Sequence, residues 1–142
     1  MRPDTTRRRP LRPVLAVAAL FLSGMALAQA NDPSGIWVTQ TGGSKVRITR
    51  CGAGYCGTLV STGGGELDTN NPDPTLRTRK LVGMQILDAR SPTGGGFDGT
   101  LYNPKDGKTY SGSLTLRDAN HVEVEGCVLR VLCKRQTWTR VN

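Results

Sequence analysis

Short alternations of apolar and polar residues recur along this 142-residue chain with turn residues between them, and no other feature constrains its fold as much. Tyr110-Ser111-Gly112-Ser113-Leu114-Thr115-Leu116-Arg117 is the clearest case, with even positions mostly apolar and odd positions polar. A period of two sends successive side chains to opposite faces, so such a segment is a strand with one buried and one wet face. Apolar patterns of helical period are almost nowhere sustained, which predicts an all-β chain. After Asp118-Ala119-Asn120 the alternation resumes in His121-Val122-Glu123-Val124-Glu125, and the two segments read as a hairpin.

Segments 36–40, 46–51, 56–60, 83–88, 97–102 and 134–141 bring the strand candidates to eight. With residues 63–82 set aside, each strand and its turn take about 11 residues, the spacing of barrels and sandwiches. Eighteen glycines suit the tight corners and bulges of a small barrel. The two tryptophans bracket this series, in Gly35-Ile36-Trp37 and Trp138-Thr139-Arg140. Their placement predicts neighbouring first and last strands, with an indole and a guanidinium sealing one end. The expected fold is a single antiparallel eight-stranded up-and-down barrel over residues 31–142.

Residues 1–30 read as a signal peptide. Arg2, Arg7, Arg8, Arg9 and Arg12 precede an apolar run from Val14 to Leu22, followed by Ala26-Leu27-Ala28. The run is far shorter than the roughly 20 apolar residues of a spanning helix, so no anchor is expected after cleavage. Removing the leader takes five arginines and Asp4, and the net charge falls from +8 to +4. That charge is scattered, which argues against nucleic acid as a partner. The expected location is the periplasm or the medium.

All four cysteines follow the leader, and an even count in an exported chain reads as disulfides. The spacings Cys51-x4-Cys56 and Cys127-x5-Cys133 suggest that each pair spans its own turn. Cross-pairing and a four-thiolate zinc site are the alternatives.

Segment 63–82 is long for a structureless connection, and such loops are usually functional or disordered. Within it, Asp73-Pro74-Thr75-Leu76 has the form of an N-cap with proline at the first helical position, a short helical turn able to cover an open barrel end. Asp68, Asn70 and Asp73 invite a calcium reading, but Pro72 occupies a ligand position and the closing glutamate is missing, so capping and Asx turns explain them better. Arg77, Arg79 and Lys80 are candidates to meet an anionic ligand, beside the plainer reading of a solvated basic stretch. Tyr102 and Tyr110 flank the Asp106-Gly107 hairpin turn and either pack or line a cavity. His121 falls on the polar face of its strand, and neither a catalytic constellation nor a cofactor motif is recognised.

The chain resembles an uncharacterised family of exported bacterial proteins, domain of unknown function 2147. The resemblance rests on Gly35-x-Trp37, Asp68-x-x-Asn71-Pro72-Asp73-x-x-Leu76-Arg77-x-Arg79-x-Leu81-x-Gly83, Tyr102-x-Pro104-x-x-Gly107-Lys108-x-Tyr110-x-Gly112 and Gln136-Thr137-Trp138-Thr139-Arg140-Val141. More distantly, Gly35-x-Trp37 with Arg140 is similar to the calycin pattern of lipocalins and fatty-acid-binding proteins. That similarity implies an arginine packed over a tryptophan at the closed barrel end and a lipophilic ligand. The function expected is therefore non-catalytic binding of a small lipophilic or anionic ligand beneath segment 63–82, through Arg77, Arg79, Tyr102 and Tyr110. An interaction or inhibitor protein of the cell envelope is the alternative. A hydrolase working through Asp68, Asp73 or Glu66 is the third reading, and it requires two carboxyls facing one cleft.

Overall fold

The computed structural model describes Pro10 and residues 31–141. The signal peptide read at residues 1–30 lies, Pro10 aside, outside the described residues. Eight strands follow one another: β1 (Gly35–Val38), β2 (Lys45–Cys51), β3 (Gly54–Ser61), β4 (Gln85–Pro92), β5 (Phe97–Asn103), β6 (Lys108–Asp118), β7 (His121–Val128) and β8 (Leu132–Arg140). Each pairs antiparallel with the next, and β8 returns to β1 through Trp37 opposite Arg140 and Val38 opposite Thr139, closing the barrel. All eight strand candidates are present, and the expected up-and-down order holds.

Period-two alternation turns the sequence into a wall. On β6, Leu114 is fully buried while Ser111 and Arg117 are exposed, and on β7 Val122 and Val124 face the core. The intervening Glu123 and Glu125 look outward to Arg117 and Arg135 on the neighbouring strands. Trp37, Val46, Ile48, Leu59, Leu87, Leu114, Val122, Val124 and Trp138 form the core, so side chains fill the interior. Each such burial contributes roughly 1.5–3 kcal/mol. Register shifts beside Lys45/Val46, Gly57/Thr58, Asp88/Ser91 and Leu116/Asp118 supply the bends that closure needs.

The meander gives the barrel two unlike ends. One carries the β2–β3, β4–β5 and β6–β7 turns together with Ile36 and Val141, whose amide donates to the Ile36 carbonyl. Here the Arg140 guanidinium lies 4.2 Å from the Trp37 ring centroid. Its Nη1, Nη2 and Nε donate to the carbonyls of Ser34, Asp32 and Ala119. Trp37 Nε1 donates to the Pro33 carbonyl at 2.9 Å. Gly35 is required there, because a Cβ on it would stand 2.5 Å from Arg140 Nη1 and its φ is +140°. This is the sealed end read from the tryptophan bracket.

The other end carries the β1–β2, β3–β4, β5–β6 and β7–β8 connections and forms an open rim. Disulfides Cys51–Cys56 and Cys127–Cys133 close the β2–β3 and β7–β8 turns, one at each end. The local pairing is therefore the one formed. Cross-pairing and a zinc site built on thiolates fall with it.

Candidate ligand-binding site at the open rim

The β3–β4 connection is ordered by a buried carboxylate. Asp68 is fully buried, and its Oδ1 accepts from the Tyr102 hydroxyl at 2.5 Å. Its Oδ2 accepts from Asn71 Nδ2 at 2.8 Å and from Arg79 Nε at 2.9 Å. Burial by itself raises the proton affinity of Asp68, but the hydrogen bonds from Tyr102, Asn71 and Arg79 outweigh it and hold the carboxyl below its ordinary pKa. Burial and the same carboxylate push the Tyr102 phenol up.

Around this anchor the segment folds back on itself. Asp68 N donates to the Arg79 carbonyl, Leu81 N to the Glu66 carbonyl, and Leu67 bridges Lys80. Pro74–Leu76 forms a 3-10 turn, with Asp73 as N-cap accepting from Thr75 N at 2.9 Å. The helical turn and cap expected at Asp73-Pro74 are thus present. Asn71 Oδ1 accepts from Asp73 N, an Asx turn that positions Pro72. Gly83 turns the chain into β4 with φ +93°.

The segment grips the outer side of the wall. Leu101 faces the interior, where Cβ atoms on Gly112 and Gly126 would meet it, so the next residue, Tyr102, lies on the opposite face of β5. Asn70 Nδ2 donates to the Pro104 and Lys105 carbonyls of the β5–β6 turn. Gly107 permits this approach, since its Cβ would fall 1.8 Å from the Asn70 oxygen and its φ is +70°. The apolar edge of Tyr102 needs cover, and the segment supplies it from the side of the barrel.

All four residues read as ligand contacts therefore have partners within the chain. Arg79 and Tyr102 hold Asp68, and Arg77 Nε donates to the Asn71 carbonyl at 2.8 Å. Tyr110, the fourth, donates to Asp106 and stands on the wall of a groove of about 640 Å³. Asn70 and Pro72 of segment 63–82, Asp106 to Ser111 of the β5–β6 turn and β6, and Cys127, Val128 and Leu129 of the β7–β8 hairpin line this groove. It runs beside segment 63–82, because the segment turns outward to cover Tyr102. Val128 and Leu129 were not singled out from the sequence, and Lys108 entered only as part of the family pattern around Tyr102 and Tyr110. The signal available was the aliphatic run between Cys127 and Cys133, which contains no ordinary turn residue.

Other chemistry-bearing groups lie apart. His121 Nδ1 sits 2.9 Å from Asp118 at the sealed end. Glu125 approaches Cys127 and Cys133, the metal-ligand grouping found among the described residues, but both cysteines are engaged in their disulfide.

Residues 35–140 match the family described as "Uncharacterized protein conserved in bacteria (DUF2147)". No match was found among curated proteins. Among solved structures, the chain is similar to HP1028 from the human pathogen Helicobacter pylori, a protein described as belonging to the lipocalin family. The two share 25% identity with a TM-score of 0.68, over 78% of this chain and 84% of that one.

Proposed function

We propose that this chain, which belongs to the DUF2147 family of uncharacterised bacterial proteins, is a non-catalytic binding protein that takes a small amphiphile with an anionic head into the groove at its open rim. The groove itself carries this reading. At about 640 Å³ it has the size of a small-molecule site, and its lining sets Pro72, Val128 and Leu129 beside the polar Asn70, Lys108, Thr109 and Ser111, with the Asp106 carboxylate taken up by Tyr110. Val128, Leu129 and Pro72 offer an apolar bed, while Lys108 offers a cation for the head. The lipocalin-like barrel supports a small molecule as the kind of partner, while the side chains that fill its interior leave the rim groove rather than the lumen as the place for it. Paired cysteines support a place of action outside the cytoplasm.

Isothermal titration with dodecanoate and with the uncharged alcohol of the same chain length tests the reading. Lys108→Glu should weaken dodecanoate by about tenfold, from one charge-assisted contact replaced by a repulsion. The alcohol should be little affected. Equal loss of both ligands, or no binding of either by the unaltered protein, would remove the groove as the site.

A further inference from the structure

Seven large apolar side chains are exposed among the described residues, and six of them, Leu67, Val82, Val128, Leu129, Val131 and Leu132, lie at the open end. Four of the six belong to the β7–β8 turn and the strand ends it joins, where Leu129, Val131 and Leu132 are 86%, 79% and 73% exposed. Turns are ordinarily built from Gly, Asn, Asp and Pro because those residues suit the backbone and leave no apolar surface in water. This turn does the reverse. Leu129 and Arg130 hold φ values of 52° and 59°, a left-handed pair for which Asn-Gly is the unstrained choice. The Cys127–Cys133 disulfide fixes the turn from just outside. A strained, stapled, aliphatic tip has no explanation in the packing of the barrel.

Charge is distributed with the same polarity. Lys45, Arg77, Arg79, Lys80, Lys105, Lys108, Arg130 and Lys134 occupy the open-end connections and the strand ends flanking them, and all are exposed. Glu66, Asp68, Asp73 and Asp106 are the carboxylates of that end. Eight cations against four carboxylates leave an excess of four, and the rest of residues 31–141 holds six of each sign. The entire net positive charge of the described residues thus lies at the end that carries the apolar tip. Of the four carboxylates, Asp68 is buried against Arg79 and Asp106 is bonded to Tyr110.

We propose that the β7–β8 turn is a membrane-docking tip, in which Leu129, Val131 and Leu132 enter the headgroup and acyl boundary of a bilayer rich in anionic lipid. Arg130, Lys134, Lys105 and Lys108 engage the lipid phosphates around it. Aliphatic insertion combined with basic flanks is the combination that gives reversible binding to anionic membranes. The tip shares Leu129 and Lys108 with the groove, but the inference rests on the exposure and charge of the tip and needs no ligand bound there.

Residues 31–142 contain every strand of the closed barrel and both disulfides, and omit the apolar run Val14 to Leu22, whose own affinity for lipid would confuse the readout. This protein is sedimented with vesicles of phosphatidylcholine alone and with vesicles of equal parts phosphatidylcholine and phosphatidylglycerol. Binding is expected to the mixed vesicles only, and to fall with added salt. Leu129→Asn combined with Arg130→Gly should lower binding at least about tenfold while leaving the melting temperature unchanged or higher, because those residues suit the turn better. Leu129→Trp provides a second readout: both native tryptophans are buried, so a blue shift on adding mixed vesicles reports the tip alone. Failure of the unaltered protein to sediment with mixed vesicles would overturn the proposal. So would undiminished binding by the Asn-Gly protein, or a dimer abolished by that change without any vesicle binding, which would assign the tip to a second copy.

Discussion

Asp68 concentrates the chemistry of the open end into one side chain. A fully buried carboxylate is unfavourable unless every lone pair it turns inward is met, and here a phenol, an amide and a guanidinium meet it. Asn at this position keeps the shape but loses the charge and one of the accepting oxygens. Asp68→Asn is therefore expected to cost about 2–3 kcal/mol in urea denaturation. The sign of the pH dependence follows from the lowered pKa. The stability contributed by Asp68 is fully present above the unfolded-state value near 3.9 and is lost as pH falls through the lower folded-state value. The stability difference between the Asn variant and the parent protein should accordingly narrow below about pH 4, as measured by urea unfolding at a series of pH values. None of this was legible in one dimension. Arg79 and Tyr102 look like free ligand contacts in the sequence because a cation and an aromatic advertise binding, and their partner lies 11 and 34 residues away.

The elements were more legible than the residues that tie them together. All eight strands announce themselves by alternation, and the Asp73-Pro74 cap predicts the 3-10 turn that forms. The β7–β8 hairpin is the instructive exception. Its strand candidates stop at Glu125 and resume at Lys134, whereas the strands run on to Val128 and back from Leu132. Hydrophobic residues were present throughout that gap, but neither a polar alternation nor a turn residue marked where the chain reverses. The disulfide does part of what turn chemistry does elsewhere. Replacing Cys127 and Cys133 together by serine should lower unfolding stability by about 2 kcal/mol, the chain-entropy value for so short a loop. Replacing Cys51 and Cys56 should cost a similar amount, since the two loops are nearly equal in length. Only the first pair is expected to loosen the tip, and amide exchange at residues 129–131 compared between the two double variants measures this.

At the scale of the whole molecule, the tryptophan bracket proved to be a statement about closure. Gly35, Trp37 and Arg140 were readable as a seal from the two tryptophans at the ends of the strand series, with the calycin resemblance pairing Arg140 to Trp37, and the structure supplies the reason for each: space, a ring face and a guanidinium with three carbonyl partners. The sequence did not reveal which end is apolar and basic, since that asymmetry exists only once the meander has sorted its connections onto two rims. The closure also has a thin point. β1 meets β8 through two residue pairs, against eight between β7 and β8. Native-state hydrogen exchange should therefore find the β1 amides opening before those of β6 and β7, and pulse labelling during refolding should find them protected last. Trp37 and Arg140 lie 103 positions apart, and bringing such distant residues together costs about 2 kcal/mol more loop entropy than closing a ten-residue hairpin. Folding is then a sequence of quick local pairings followed by one slow ring closure. Until that step the free edges of β1 and β8 are donors and acceptors without partners, and a strand from another molecule can take the place of either. How often the chain is trapped by its own copies is set at this two-pair seam, far from the rim where it is proposed to act.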